Sequence, residues 1–120
     1  MEISQGLRGK RYEGTEYKVN IDRLNKEAYY REWCREIKSQ LDVPIMIVGG
    51  LRTLSLMEEI VQNKEADCVS LCRPLICEPG LINDWKTNEH MKPKCISCNK
   101  CVDAIYKGRP INCILTTPQV

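Results

Sequence analysis

The alternation of apolar and polar positions divides the chain into a few elements. Over 25–41, Tyr29, Trp33 and Ile37 recur every four residues, and Tyr30, Cys34 and Leu41 widen the same stripe. Lys26, Arg31, Glu32, Arg35 and Lys38 mostly take the other side, so the spacing predicts a helix over 25–41. Asp42-Val43-Pro44 ends it, because a residue preceding proline disfavours the helical region. Ile45-Met46-Ile47-Val48 follows as an unbroken apolar run closed by Gly49-Gly50, the pattern of a parallel strand covered on both faces. Thr53 can cap the next helix, or Ser55 can do so in a capping box with Glu58. Met57, Ile60 and Val61 form that helix's inner face, and Cys68-Val69-Ser70-Leu71 reads as a second strand. Strand, helix and strand at this spacing make a βαβ unit with a right-handed crossover.

The flanks carry weaker signals. Residues 1–24 hold glycines at 6, 9 and 14 among many charges, so only residues 1–4 are expected as strand, a stub, and the rest as a long loop. Pro79 can open a short helix reaching Trp85, and 102–107 predicts one or two helical turns stopped by Gly108. No internal repeat and no low-complexity segment is present.

Composition narrows the class. The 120 residues are 42% hydrophobic, enough for a modest core, and the length suits one small domain or a piece of a larger one. Lys and Arg number 18 against 16 Asp and Glu, a net charge of +2, too balanced to point to nucleic acid or an anionic membrane. No apolar run has the ~18 residues of a spanning helix. The start does not read as a secretory signal, so a cytoplasmic location is expected. Eight cysteines are the unusual quantity, and four of them crowd into the last 26 residues. Without an export signal, such clustering points to a metal or a cluster more than to disulfides.

Two candidate sites emerge. In parallel α/β folds, ligands bind beyond the carboxyl ends of the strands. Those ends read Val48-Gly49-Gly50-Leu51-Arg52 and Leu71-Cys72-Arg73-Pro74. Glycines admit an anion close to backbone N–H groups, a helix begins just beyond, and Arg73 adds a guanidinium fork, so Gly49, Gly50, Cys72 and Arg73 suit a phosphate. The competing reading is a plain βα turn with a surface arginine. The second site is Cys95-Ile96-Ser97-Cys98-Asn99-Lys100-Cys101, joined by Cys113. Four thiolates suit a [4Fe–4S] cluster or a structural zinc, and the 3+1 spacing favours iron–sulfur. Cys34 and Cys68 read as small core residues, Cys77 is undecided, and His90 reads as a surface residue. Trp33 and Trp85 read as packing residues, and Arg8-Gly9-Lys10-Arg11 as a solvated loop.

These residues resemble a known family. Residues 43–53, Val-Pro-Ile-Met-Ile-Val-Gly-Gly-Leu-Arg-Thr, look like the seventh strand and following turn of the Old Yellow Enzyme family. Residues 66–76 look like the eighth, Glu2-Ile3-Ser4-Gln5-Gly6 is similar to the end of the sixth, and the tail from Cys95 to Cys113 resembles the cluster-binding segment of the 2,4-dienoyl-CoA reductase-like branch. The resemblance implies an α/β chain that is the C-terminal third of a (β/α)8 TIM barrel: the end of strand 6, strands 7 and 8 with their helices, and a Cys-rich C-terminal segment. It divides the chain into 1–94, a partial FMN-binding barrel, and 95–120, the iron–sulfur segment. It implies an NADH:flavin oxidoreductase passing hydride from NAD(P)H through FMN to an electrophilic enoyl or enone-type alkene. Gly49, Gly50, Cys72 and Arg73 would hold the FMN phosphate, and Cys95, Cys98, Cys101 and Cys113 a [4Fe–4S] cluster. Cys72 stands where the family usually has glycine, and two residues separate Cys98 from Cys101 where that branch commonly has three. The family's acid and base residues lie on earlier strands, so no catalytic residue carries over, and the remaining strands would come from a preceding part or another chain. Outside the resemblance stand a small autonomous iron–sulfur electron-transfer module and a zinc-stabilised interaction domain.

Overall fold

The structure is a computed structural model that describes residues 1–4 and 18–116. The basic run Arg8 to Arg11, with Gln5 and Gly6, lies outside the described residues. Three short strands, β1 (Glu2–Ile3), β2 (Met46–Val48) and β3 (Cys68–Ser70), form a parallel sheet in the order β1-β2-β3. Ile3 stands opposite Ile47, and Ile47 opposite Val69. A single 3-10 turn (Leu24–Lys26) and α1 (Arg31–Gln40) precede β2, and α2 (Leu54–Gln62) joins β2 to β3 as the βαβ pattern predicts. After β3 come α3 (Arg73–Cys77), α4 (Leu81–Thr87) and α5 (Lys100–Tyr106). The described chain is thus a small α/β unit with helices around a parallel sheet. Among the described residues, no helix is long and apolar enough to cross a membrane.

Ile45, Ile47, Ile60, Leu81 and Cys34 are the largest fully buried side chains. Tyr30, Leu51, Met57 and Trp85 pack with them. β2 departs from the expected cover on both faces: Ile47 is buried, but Met46 and Val48 are only half-buried. Its second face borders a cavity, because Val48 and Ser70 line open space. Cys68 is another correction, since it lies exposed on β3, at the edge of the sheet.

The first helix begins six residues later than its apolar stripe suggests. Ala28 has φ +48°, a left-handed conformation that a helix cannot carry, and it separates the 3-10 turn from α1. Cys34 then becomes the buried residue of α1, while Trp33 remains 55% exposed and stacks on Tyr30 with ring centroids 5.7 Å apart. The predicted capping box on α2 does not form, because Thr53 is the N-cap and Ser55 lies inside the helix. Glu27 caps α2 from a distance instead. Its Oε2 accepts the N–H groups of Arg52 (2.9 Å) and Thr53 (2.8 Å), and its Oε1 accepts the Thr53 hydroxyl (2.8 Å). A carboxylate there also offsets the positive end of the helix dipole.

Pro79 does not enter α4, whose N-cap is Gly80. Trp85 is buried as expected, and its indole N–H donates to the Met91 carbonyl at 2.8 Å. α5 ends as the sequence suggests, with Gly108 at φ +65° just past the C-cap Lys107. Asp67 locks the start of β2: its Oδ2 accepts the Ile45 N–H at 2.7 Å and the Lys38 ammonium at 2.6 Å. Those two donors hold its carboxyl below the usual range, the lysine contributing more.

Candidate functional site

Beyond the carboxyl ends of the three strands lies a cavity of about 390 Å³. Gly49, Gly50, Cys72 and Arg73 all line it, so residues from two separate turns meet in one place. That volume falls in the usual range for small-molecule sites. Tyr29, Tyr30 and Leu71 supply apolar wall, and Ile105 brings α5 to the rim.

The two glycines are needed, but for a different close approach than the one expected. Gly49 has φ +121° and Gly50 φ +69°. A Cβ on Gly49 would lie 2.7 Å from Tyr29 Cε2 and 2.8 Å from Tyr30 Cδ2, and one on Gly50 would lie 2.6 Å from Tyr29 Cε1. The Tyr29 ring therefore lies against this turn. It is held edge-on to Tyr30 at 4.6 Å, with the Lys18 ammonium 4.6 Å from its centroid.

The helix end beyond the glycines is likewise taken, by the Glu27 carboxylate on the Arg52 and Thr53 N–H groups. Arg52 turns away from that end. Its guanidinium donates to the carbonyls of Ile21 and, at 3.0 Å, of Pro93, and its Nε is buried without an acceptor. The positive group left for an anion is Arg73. Its Nη1 donates to the Lys18 carbonyl at 2.7 Å and to the Asn99 side-chain oxygen, both neutral. Among the described residues, no carboxylate lies within ion-pair distance of Arg73. A guanidinium on a cavity wall with no carboxylate partner among the described residues fits the donor set a phosphate needs.

Arg73 also lines a second, much tighter cavity of about 10 Å³, whose walls include Cys95, Cys98, Cys101 and Cys113. The four thiols thus line one cavity, and left-handed Ser97 (φ +54°) and Asn99 (φ +60°) bend the loop that carries three of them. Cys95 and Cys101 are buried, while Cys98 and Cys113 are half-buried. Burial pushes the Cys101 thiol up. Among the described residues, no three thiol, imidazole or carboxylate groups stand in an arrangement that would hold a metal ion. The donor chemistry suits a thiophilic metal or cluster, while the side-chain geometry is that of free thiols.

A further thiol is buried on the helix that Arg73 opens. Cys77, at the end of α3, is 3% exposed. Burial first, then the influence of Cys113, pushes the Cys77 thiol up to about 12. The signal for it was helical: Cys77 lies four residues after Arg73, on the same face of a helix too short to show periodicity. Glu27 was not legible at all, because its partners lie 25 and 26 residues away.

No family profile matches the chain. A metal reductase of Desulforamulus reducens is 30% identical over 82 residues, covering 66% of this chain and 12% of that protein. An NADH-dependent flavin oxidoreductase of Talaromyces variabilis is 32% identical over 82 residues, covering 68% of this chain and 18% of that protein. A 4,4'-dithiodibutanoate disulfide reductase of Rhodococcus erythropolis is 26% identical over 83 residues, 69% of this chain and 20% of that protein. The chain thus spans a fifth or less of the length of these curated relatives. All three carry names of reductases or oxidoreductases, so the likeness is to an oxidoreductase group.

Proposed function

We propose that this chain is the carboxyl-terminal part of an FMN-dependent NAD(P)H oxidoreductase of the Old Yellow Enzyme type. In this reading the described sheet is one side of a (β/α)8 barrel completed by strands from elsewhere. Bound FMN would supply hydride transfer from a nicotinamide cofactor to an enoyl or enone-type substrate, in a cytoplasmic enzyme. The observation that carries the reading is the meeting of Gly49, Gly50, Cys72 and Arg73 around one cavity at the strand ends, with no carboxylate paired to Arg73 among the described residues. The named flavin oxidoreductase and reductase relatives support it. In this role Arg73 binds the phosphate, and Tyr29, braced by Tyr30, fixes the turn beneath it. Cys95, Cys98, Cys101 and Cys113 would hold a [4Fe–4S] cluster, which supplies one-electron transfer when bound.

Titrating the purified chain with FMN, followed by flavin fluorescence, tests the phosphate assignment. Arg73→Ala is expected to weaken FMN binding by roughly 10- to 100-fold, the worth of a lost charged hydrogen-bond set, and to leave riboflavin unaffected. Equal FMN affinity in both proteins, or no FMN binding at all, would overturn the assignment. Anaerobic loading with ferrous iron and sulfide tests the thiols. Broad brown absorbance that Cys98→Ala abolishes is expected, whereas a colourless chain that takes zinc alone would favour the zinc-stabilised domain.

A further inference from the structure

The side chain that directs Arg73 lies outside both strand-end turns. Arg73 Nη1 donates to the side-chain oxygen of Asn99 and, at 2.7 Å, to the Lys18 carbonyl. Asn99 stands between Cys98 and Cys101, at φ +60° and immediately before α5. Asparagine is one of the few residues with a side chain that enter this left-handed region at low cost. Arg73, Ile76 and Ser97 line both the strand-end cavity and the thiol cavity, so the cysteine loop forms part of the wall around the anion site. The Asn20 N–H donates to the Ser97 carbonyl at 3.2 Å, which ties the same loop to the segment that carries the second acceptor.

With Arg73 as the phosphate-binding group of the proposed function, on which the inference rests, we propose that Asn99 is a positioning residue for the anion site. It holds the guanidinium in place through a neutral acceptor and leaves its charge for a phosphate. Both hydrogen bonds leave from Nη1 and end on uncharged oxygens, so they fix the direction of the fork without cancelling its charge. A carboxylate at the same point would pair with the guanidinium and neutralise the group that the phosphate needs. A residue with no acceptor would leave a long side chain to be ordered by the ligand, at a cost in affinity. Aspartate and glycine share asparagine's tolerance of the left-handed backbone, so they alter charge or acceptor while keeping the loop.

Titrating the purified chain and its variants with FMN and with riboflavin, followed by flavin fluorescence, tests the role. Asn99→Gly removes the acceptor and is expected to weaken FMN binding roughly 3- to 10-fold, the worth of one ordering hydrogen bond. Asn99→Asp keeps the acceptor and adds a charge, so it is expected to weaken FMN binding further, by roughly tenfold or more. Riboflavin, which lacks the phosphate, is expected to bind all three proteins alike, a selectivity that a general loss of structure would not produce. In an Arg73→Ala background, Asn99→Gly is expected to add nothing. FMN binding to Asn99→Asp as tight as to the unaltered chain, riboflavin weakening in step with FMN, or an undiminished Asn99→Gly effect without Arg73 would each overturn the positioning role. Arg73→Ala separates this role from the reading beneath it. Lost FMN affinity there, with affinity kept in both Asn99 variants, sinks the role of Asn99 alone. FMN affinity that is unchanged in Arg73→Ala, or absent from the unaltered chain, sinks the phosphate assignment and the role of Asn99 together.

Discussion

Glu65→Ala is expected to lower the free energy of unfolding by about 1–3 kcal/mol, the usual cost of losing charged hydrogen bonds in a partly buried pair. Glu65 is only 7% exposed. Its carboxylate receives a two-pronged grip from Arg31, Nε to Oε2 at 2.6 Å and Nη2 to Oε1 at 2.8 Å. Arg31 begins α1 and Glu65 follows α2, so the pair fastens the two helices together. Arg31 also reaches Glu59 at 2.5 Å, but that carboxylate is more than half exposed and is worth little alone. The Arg31 hydrogen bond is the main reason the Glu65 carboxyl sits below its usual range. A depressed carboxylate stabilises the fold above its unfolded value of about 4.3, and that contribution is lost as the pH falls through the lower folded value. The unaltered chain therefore loses stability on acidification below about pH 4, and Glu65→Gln is expected to flatten that limb. Urea unfolding at pH 7 and pH 3 checks both. A loss under about 1 kcal/mol for Glu65→Ala would mean that Arg31 finds full compensation at Glu59 or in water.

Gly50→Ala is expected to cost about 3 kcal/mol, shared between left-handed backbone strain and overpacking. At φ +69° an alanine is tolerated at some cost, but its Cβ would press 2.6 Å from Tyr29 Cε1 and 2.7 Å from Cδ1. The ring cannot swing aside freely, because Tyr30 stands edge-on against it. The next neighbour, Ile21 Cγ2, is at 3.4 Å, so no other described residue crowds the site as closely. In a Tyr29→Ala background the same substitution is expected to cost only about 1–2 kcal/mol, the backbone share alone. Equal costs in both backgrounds, measured by thermal or urea unfolding, would remove the ring contact as the reason for glycine.

The parts of the fold carried by local pattern were legible in the sequence. The run Ile45 to Val48 with its closing glycines, the apolar positions Met57 and Ile60, and the strand at Cys68 all sit where their periodicity puts them. Because a parallel βαβ unit brings strand ends to one side, the turns after β2 and β3 could be expected to converge, and they do. What was hidden is set by tertiary contacts or by single backbone angles. The left-handed Ala28 shortens α1, although alanine gives no hint of such a conformation. Glu27 reads as an ordinary surface charge, yet it takes the helix end that looked free for an anion. Cys68 sits in an apolar run that reads as core, and lies exposed because β3 is an edge of the three-stranded sheet. The five residues Arg73–Cys77 are too few for a stripe to register, so α3 was not predicted and the thiol at its end stayed undecided.

The bonds that close the strand-end cavity share a property with a kinetic consequence. Arg73 reaches Lys18 across 55 positions of sequence, Arg52 reaches Pro93 across 41, and the Asn20 N–H meets the Ser97 carbonyl. Each such link must bear the entropy of a long loop before it returns any energy. The helices and the βαβ unit can organise while the polypeptide is still emerging from the ribosome. The cavity wall cannot, since residues distant in sequence must be present together, so the cavity closes only after synthesis has passed the cysteine loop.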